Sequence, residues 1–282
     1  SWLTYGLGSE NQNLPGFVVL CPGKPVVGPA LWNNSFLPGI YQGTHINNSK
    51  IDPRNVIGHI NNNHLSPGSQ RNVLDLMQKI NRRHQGVRKE DQALEARIQS
   101  LEIAYRMQSE AQQAFDVSRE SKETLEMYGE GEFSNGCLIA RRLVERGVRM
   151  VQLYYGSGQP WDAHGNIMDH KRDADKSDQG IGALITDLKA RGLLDDTLVV
   201  WIGEFGRTPD NNRRGGVYAL GRGHNVDAMT MLLAGGGVKK GTIVGATDEI
   251  GAEAAAVVHP IRDLHVTLLH LLGLDDNKLT YF

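Results

Sequence analysis

The chain has 282 residues, of which 40% are hydrophobic and 22% charged, a composition typical of a globular protein with a sizeable core. Its 30 basic and 32 acidic residues give a formal net charge of −2, so the charge balance does not indicate a nucleic-acid-binding or anionic-membrane-binding surface. No apolar run approaches the roughly 18 residues of a membrane span. Cys21 and Cys137 are the only cysteines and follow no metal-binding or disulfide spacing, so we expect them to be unpaired and structural.

The first half of the chain contains one clear strand and one helical region. The segment "FVVL" (17–20) is a short apolar run between "LPG" and "CPG", which predicts a buried strand. Residues 22–68 are rich in Pro, Gly and Asn and predict a long irregular connection. Residues 69–128 are charged, with apolar residues at helical spacing, and predict two or three helices packed beside the main fold.

From residue 133 onward, predicted strands and helices alternate. The predicted strands are 148–155, 197–203 and 228–236, and the predicted helices are a segment closed by Gly147 at its C′ position, 166–191 and 261–274. Strands that are apolar on both faces and alternate with helices indicate a parallel sheet covered on both sides. The predicted fold class is therefore α/β, a doubly wound and largely parallel sheet with helices on both faces. We expect one domain over residues 1–282, with 69–128 as a helical insertion.

Polar, glycine-rich segments lie beside the ends of these strands. "GSGQPWDAHGN" follows the first of the three, "EFGRTP" follows the second, and "GRGHN" precedes the third. Ligands of open parallel sheets bind beyond the carboxyl ends of the strands. We therefore expect the three segments to converge on one edge of the sheet.

Four side chains in these segments are candidate metal ligands: Asp162, His164, Glu204 and His224. Carboxylate together with imidazole suits zinc, manganese or iron, whereas ligand sets made only of oxygen favour calcium or magnesium. The predicted cofactor is a divalent metal, either zinc, manganese or calcium. Each residue also has a structural interpretation, since Asp-x-His in a glycine-rich loop is often only a polar turn and Glu204 could pair with Arg207.

Arg207 and Asn166 are candidate substrate-binding residues. The guanidinium of Arg207, three residues beyond Glu204, could pair bidentately with a tetrahedral oxyanion, so we also assign it a catalytic role. Asn166 could supply an amide ligand or hold the substrate. Six further histidines are weaker candidates, with His45, His59 and His64 in the irregular early region and His259, His265 and His270 near the last helix, where a structural role is favoured.

Several of these segments together resemble a known family. "SWLTYGLGSENQNLPGFVVL" (1–20), "ARRLVERGVRMVQLYY" (140–155), "WDAHGN" (161–166), "LLDDTLVVWIGEFGRTP" (193–209) and "RDLHVTLLHLLGL" (262–274) resemble the bacterial, sulfatase-like domain-of-unknown-function family 1501, within the alkaline phosphatase and sulfatase superfamily. The likeness covers nearly the whole chain, and "GEFGRTP" is its most specific motif.

The resemblance implies an alkaline phosphatase-like fold and a divalent metal site that cleaves phosphate or sulfate esters. It matches Asp162, His164, Glu204 and His224 to metal-binding positions. Two departures remove ligands: Phe205 stands where relatives carry histidine, and Gly223 where they often carry aspartate. Because these two positions supply no ligand atoms, a site with two metal ions is expected less than the resemblance alone would imply.

The superfamily also takes an aspartate ligand and a Ser or Thr nucleophile from a segment before the equivalent of Ser1. We therefore expect a longer parent protein, a partner segment or a homo-oligomer. The resemblance further suggests an extracytoplasmic location, periplasmic or secreted.

These observations favour a metal-dependent hydrolase of phosphate or sulfate esters, acting on a small-molecule or saccharide ester. Phe205, Gly223 and the upstream nucleophile segment keep a second hypothesis open, a binding protein that retains the fold without turnover. A phosphomutase-like isomerase is a third. Partners such as nucleic acid or a membrane-spanning segment are not expected.

Overall fold

A computed structural model of the chain describes residues 1–49, 51, 64–85, 92–214 and 217–280. The contacts divide it into two compact units. The first unit comprises Ser1–Glu126 and Glu130–Gly158, and the second comprises Met127–Gly129 and Gln159–Phe282. None of the helices in the described ranges is both long enough and apolar enough to cross a membrane.

The first unit is built on a three-stranded parallel sheet. Its strands are β1 (Phe17–Leu20), β2 (Thr44–Ile46) and β3 (Met150–Leu153), in the order β2–β1–β3. All four residues of β1 are buried because this strand has a neighbour on each side, which confirms the prediction for 17–20. The strand predicted at 148–155 forms over a shorter range and is half-buried, since in the described sheet it pairs only with β1.

The first part of the chain also contains several helices, of which the one at residues 2–7 and the short ones at 28–32 and 39–41 were not predicted. They are α1 (Trp2–Leu7), α2 (Pro67–Gln85), α3 (Gln92–Phe115), α4 (Lys122–Tyr128) and α5 (Glu132–Glu145), with short 3-10 helices at Gly28–Trp32, Gly39–Tyr41 and Val117–Arg119. Helices α2, α3 and α4 confirm the helical reading of residues 69–128. That this region is an insertion stays a prediction.

Helix α5 ends as its sequence indicates. Gly147 adopts a left-handed φ of 78°, which glycine reaches without a Cβ penalty. The Val148 amide donates to the carbonyl of Leu143 at 3.1 Å, and the Gly147 amide donates to Val144 at 2.8 Å. These two bonds satisfy carbonyls at the end of the helix in the Schellman pattern.

Apolar side chains cover both faces of the three-stranded sheet. One buried cluster joins the sheet to α3 and α5 and includes Val18, Leu20, Met107, Phe115, Ile139 and Leu143. The cluster on the other face includes Phe17, Val19, Cys21 and Trp32. Cys21 and Cys137 are both buried and unpaired, as predicted, and burial raises the pKa of the Cys137 thiol to about 12, so it stays protonated.

The second unit contains helices and antiparallel strand pairs. Its elements are α6 (Asp169–Ala190), β4 (Val199–Trp201), β5 (Gly206–Arg214), β6 (Val217–Asn225), β7 (Leu232–Ala234), β8 (Ala246–Thr247), β9 (Ala254–Ala256) and α7 (Ile261–Leu271). The three pairs are β4 with β7, β5 with β6, and β8 with β9. Helices α6 and α7 confirm the predictions at 166–191 and 261–274.

The prediction that 197–203 and 228–236 contribute parallel strands is wrong. Strands β4 and β7 pair antiparallel with each other, because the chain between them runs out and back through the β5–β6 hairpin. A parallel return needs a crossover, usually a helix, and residues 204–231 contain no helix in their described part. The coarser prediction of a mixed α/β protein with a parallel sheet is confirmed.

A buried ion cluster joins α5 to the segment before α4. The guanidinium of Arg141 is only 1% exposed and lies 2.8 Å from a carboxylate oxygen of Glu120. Arg142 contacts the other oxygen of Glu120 and donates to the carbonyls of Ala114 at 2.8 Å and Gln113 at 2.6 Å. Glu120 therefore contacts both buried guanidinium groups, and Glu145 contacts that of Arg141 as well, at 2.6 Å.

We predict that Glu120→Gln lowers the free energy of unfolding by about 3–5 kcal/mol, because it removes the one carboxylate that contacts both buried guanidinium groups. The measurement is urea unfolding at neutral pH. The control is Glu126→Gln, which removes an exposed ion pair with Lys122 and should cost about 0–1 kcal/mol. Equal losses in the two variants would contradict the prediction.

The same cluster predicts a pH dependence. Burial acts to raise the pKa of Glu120, but the hydrogen bonds and charges of Arg141 and Arg142 outweigh it and hold that pKa below the ordinary glutamate value. A carboxyl with a lowered folded-state pKa stabilises the protein above its unfolded pKa, and the stabilisation is lost as the pH falls through the folded pKa. The stability difference between wild type and Glu120→Gln should therefore shrink in acid.

Candidate metal centre

Asp162 and His164 lie on a tight turn that leads into α6. The amide of Asp162 donates to the carbonyl of Gln159 at 3.1 Å, and the amide of His164 donates to the carbonyl of Asp162 at 2.9 Å. Asn166 follows and accepts a hydrogen bond from the Met168 amide at 3.1 Å, just before the helix begins. These local bonds fix the two side chains two residues apart on one short loop.

Arg207 and His224 lie on the β5–β6 hairpin. They are direct cross-strand partners in the antiparallel ladder, so their side chains point to the same face of the hairpin. The hydroxyl of Thr208 accepts a hydrogen bond from the Gly223 amide at 2.9 Å and reinforces this register. The hairpin therefore presents a guanidinium and an imidazole side by side.

Strand β6 contacts the 162–167 loop through its backbone. The Arg222 amide donates to the carbonyl of Ala163 at 3.1 Å, and the Ile167 amide donates to the carbonyl of Leu220 at 3.2 Å. A Cβ on Gly221 would lie 2.1 Å from the carbonyl carbon of His164, a distance that no side chain can occupy. The absence of a side chain at Gly221 thus permits the loop and the hairpin to meet.

This contact brings three ligand atoms together. Asp162 Oδ1 lies 3.0 Å from His164 Nε2 and 3.0 Å from His224 Nε2. The two imidazole nitrogens lie 3.1 Å apart. Three of the four predicted ligands therefore form one compact group, which has the composition and spacing of a metal site.

Arg207 adds a positive charge beside the carboxylate of the group. Its Nη1 donates to Asp162 Oδ1 at 2.5 Å. Partial burial acts to raise the pKa of Asp162, but the hydrogen bonds from Arg207 and His224 outweigh it and hold that pKa below the usual aspartate range. Asp162 is therefore ionised at neutral pH, which is the form that binds a cation.

The donor set fits a divalent metal. Ligand atoms around a tetrahedral ion with bonds of about 2.0–2.1 Å lie about 3.3 Å apart, so these three atoms need to separate by only a few tenths of an ångström. One carboxylate and two imidazoles are suitable ligands for zinc and manganese. Three protein ligands also leave a position open, as catalytic sites require.

Phe205 contacts both functional side chains of the hairpin. Its ring centroid lies 4.1 Å from that of His224, and the Arg207 guanidinium carbon lies 5.4 Å from the Phe205 centroid. The ring restricts the orientations open to the imidazole and the guanidinium. The sequence alone pointed only to what Phe205 lacks, not to this packing role.

Two predicted site residues lie outside the three-atom group. Glu204 is exposed on the segment before β5, and Asn166 is exposed at the start of α6. Their assigned roles stay predictions. Among the weaker histidine candidates, His45 stacks on Trp32 with 5.0 Å between centroids in the first unit, His64 is exposed, and His59 lies outside the described residues.

The hairpin that carries half of the site was not predicted from the sequence. "GRGHN" was expected as a loop before a strand, whereas it forms the end of β6. The available signal was Gly215-Gly216 between two runs of similar length, since a two-residue Gly-Gly link is typical of a hairpin. Gly221 and Thr208 were likewise recognisable only after the strands were paired.

We predict that Gly221→Ala lowers the free energy of unfolding by about 1–3 kcal/mol, because the added methyl group forces β6 away from the His164 carbonyl. Urea unfolding measures the change. Gly165→Ala is the matched control, since a Cβ there would meet no atom within 4 Å. A loss at Gly165 as large as that at Gly221 would argue against the close-approach explanation.

Comparison with known proteins identifies a family. No curated protein and no solved structure matches the chain. A family model described as "Protein of unknown function (DUF1501)" matches residues 1–282, which is the whole chain. The match agrees with the resemblance of the "WDAHGN" and "GEFGRTP" segments, which carry three of the four side chains that meet at the candidate metal centre. The chain belongs to the DUF1501 family.

Proposed function

We propose that the protein is a metal-dependent hydrolase of phosphate or sulfate esters, with one divalent ion held by Asp162, His164 and His224. The observation that supports the proposal most directly is the convergence of their three ligand atoms within 3.1 Å of one another. Zinc and manganese are the ions best suited to the mixed donor set.

The bound ion would polarise a phosphoryl or sulfuryl oxygen and lower the pKa of a water molecule. Arg207 would bind a non-bridging oxygen of the ester, where its planar guanidinium suits a tetrahedral oxyanion. Its hydrogen bond to Asp162 and its contact with Phe205 hold it in place before the substrate arrives. Asn166 and Glu204 would contribute at the rim, as a substrate-holding amide and a further ligand.

A single ion is the simplest arrangement for these residues. Phe205 offers no ligand atom at the position where the family resemblance expects an imidazole, and Gly223 offers none where an aspartate is often found. The group of three ligands thus has no second group beside it among the side chains that the structure describes. We propose that one metal and one guanidinium share the negative charge of the ester group.

We also propose that the fold belongs to the alkaline phosphatase and sulfatase superfamily, with a doubly wound sheet, and that the protein is bacterial and acts outside the cytoplasm. The three-stranded parallel sheet with both faces covered supports the fold assignment. The sequence resemblance supports the superfamily. The natural substrate would be a small-molecule or saccharide ester.

One observation favours a second function, a ligand-binding protein without turnover. Arg207 is already paired with Asp162, so the charges of the site partly neutralise each other before any ester binds. A protein that only binds a metal and an oxyanion would need no further group. Turnover separates the two functions, since both require the same metal.

We predict near-stoichiometric zinc or manganese in the purified, dialysed protein and its loss in His164→Ala and His224→Ala, because each variant removes one of three ligands. Elemental analysis measures the metal content. The matched control is His259→Ala, whose imidazole pairs with Asp263 at 2.9 Å outside the group and should keep the metal. Unchanged metal content in the folded His164→Ala and His224→Ala variants would contradict the assignment of these histidines as metal ligands.

We predict that the metal-loaded protein hydrolyses an aryl phosphate or an aryl sulfate, and that Arg207→Gln lowers kcat by about 10²–10³, the cost of removing one oxyanion donor. The control is Arg222→Gln on the same hairpin, whose guanidinium donates to Asn211 at 2.7 Å and should leave kcat unchanged. Steady-state kinetics with both esters provide the measurement. Binding of both esters without turnover of either would favour the binding protein.

A further inference from the structure

A cavity of about 510 Å³ lies within the first unit and is independent of the residues assigned to the metal centre. Its walls come from α1, the 8–16 segment, the 3-10 helix Gly39–Tyr41, and helices α2 and α3. The volume falls in the range of about 300–1,000 Å³ that small-molecule sites occupy. The cavity is therefore large enough for a small organic ligand. The residues that line it determine which kind of ligand it can bind.

The inner part of the cavity is apolar. Leu14 is 2% exposed and belongs to the buried core that covers the three-stranded sheet, and Ile103 packs against that core. Ile98 and Ile40 add aliphatic surface to the lining. A ligand must therefore bring an apolar body to fill this space without burying polar atoms unpaired.

Asn11 and Tyr41, which line the cavity near α1, are held in place by their own contacts. Asn11 donates to the carbonyl of Arg146 at 2.7 Å and accepts from the amides of Asn13 and Leu14 at 2.7 and 3.1 Å. The ring of Tyr41 packs edge-on against Tyr5 with 5.4 Å between centroids. The cavity is thus formed before a ligand binds, which reduces the entropy cost of binding.

Among the described residues that line the cavity, Glu102 is the one carboxylate, and an arginine outside the lining pairs with it. Glu102 receives two hydrogen bonds from Arg71, at 2.8 and 2.9 Å, and a further one from Gln78. Arg71 itself is not part of the lining. Arg71 also pairs with Asp75, so the negative charge of Glu102 is balanced in part by a guanidinium outside the lining.

Two guanidinium groups remain at the cavity. Arg82 on α2 has one long hydrogen bond, 3.4 Å to Gln78, and Arg106 on α3 donates to the carbonyl of Gln12 at 3.3 Å and lies 3.9 Å from Glu102. Arg82 is exposed and the Arg106 side chain is 44% exposed, so each keeps donors available for a ligand at the mouth. With Glu102 paired to Arg71, the lining carries a positive excess.

We infer that this cavity binds a small organic anion, a molecule with an apolar, ring-sized body and a carboxylate, sulfonate or phosphate group. The apolar body lies against Leu14, Ile98 and Ile103, and the anionic group meets Arg82 and Arg106 at the mouth. This site goes beyond the proposed ester hydrolysis and does not depend on it, because no residue of the metal centre takes part.

The test uses two fluorescent probes that share one ring system, anilinonaphthalene sulfonate and the uncharged phenylnaphthylamine. The full chain should bind the sulfonate more tightly, and Arg82→Gln and Arg106→Gln should each weaken its binding by about 1.5-fold to fivefold, the range of an exposed ion pair. Neither substitution should change binding of the uncharged probe. Arg83→Gln is the matched control, since Arg83 neighbours Arg82 in sequence but does not line the cavity.

A second variant tests the location. Asn81→Phe places a ring inside the cavity and should abolish saturable binding of both probes while thermal unfolding confirms that the variant is folded. Equal affinity for the two probes, or sulfonate binding that is unchanged in Arg82→Gln and Arg106→Gln, would overturn the assignment. Probe binding that persists in folded Asn81→Phe would overturn it as well.

Discussion

The contact between the 162–167 loop and strand β6 is the constraint on which the candidate metal centre depends. Gly221 lies against the carbonyl group of His164 at a distance that excludes any Cβ, and backbone hydrogen bonds form on both sides of it. Asp162 and His224 are 62 residues apart in sequence, so their meeting carries a large loop-closure entropy cost. The backbone bonds on either side of Gly221 offset part of that cost and keep the candidate ligand atoms in register.

The β5–β6 hairpin keeps its alignment with the 162–167 loop because the end of the hairpin where Gly206 pairs with Asn225 is held in place. A Cβ on Gly206 would lie 1.8 Å from the carbonyl oxygen of Ala228, so the backbone at the start of β5 lies close to the backbone at Ala228. Asn225, at the end of β6, is buried and donates to the carbonyls of Gly251 and Ala252 at 3.3 and 2.9 Å. Arg207 and His224 lie one ladder position from the Gly206–Asn225 pair, at the end of the hairpin whose movement is most restricted. A rigid scaffold of this kind is what a metal site needs from its supporting residues.

Sequence patterns predicted the elements whose signals are local. The apolar run at 17–20 and the glycine at 147 each determine their structure within a few residues, and both were predicted correctly. The pairing of β4 with β7 is a different kind of feature, because an apolar strand has the same sequence whether its neighbour is parallel or antiparallel. Only the absence of a crossover helix between the strands indicated the antiparallel form. The candidate ligands Asp162, His164 and His224 were predicted by residue type, and their segments were expected to converge at a sheet edge. Their convergence depends instead on a close backbone approach at Gly221 that no periodicity indicates.

Phe205 shows how the chemistry of the centre follows from packing. From the resemblance, a histidine was expected at the position after Glu204. This position holds Phe205, whose ring lies against His224 and the guanidinium of Arg207. Asp162 is shared between this guanidinium and two imidazoles. Under the proposed function, a divalent cation would replace the two imidazole hydrogen bonds while Arg207 keeps its own. Because a phenyl ring supplies no ligand atom, Phe205 would then favour one ion beside the guanidinium over two ions that share the same ligands.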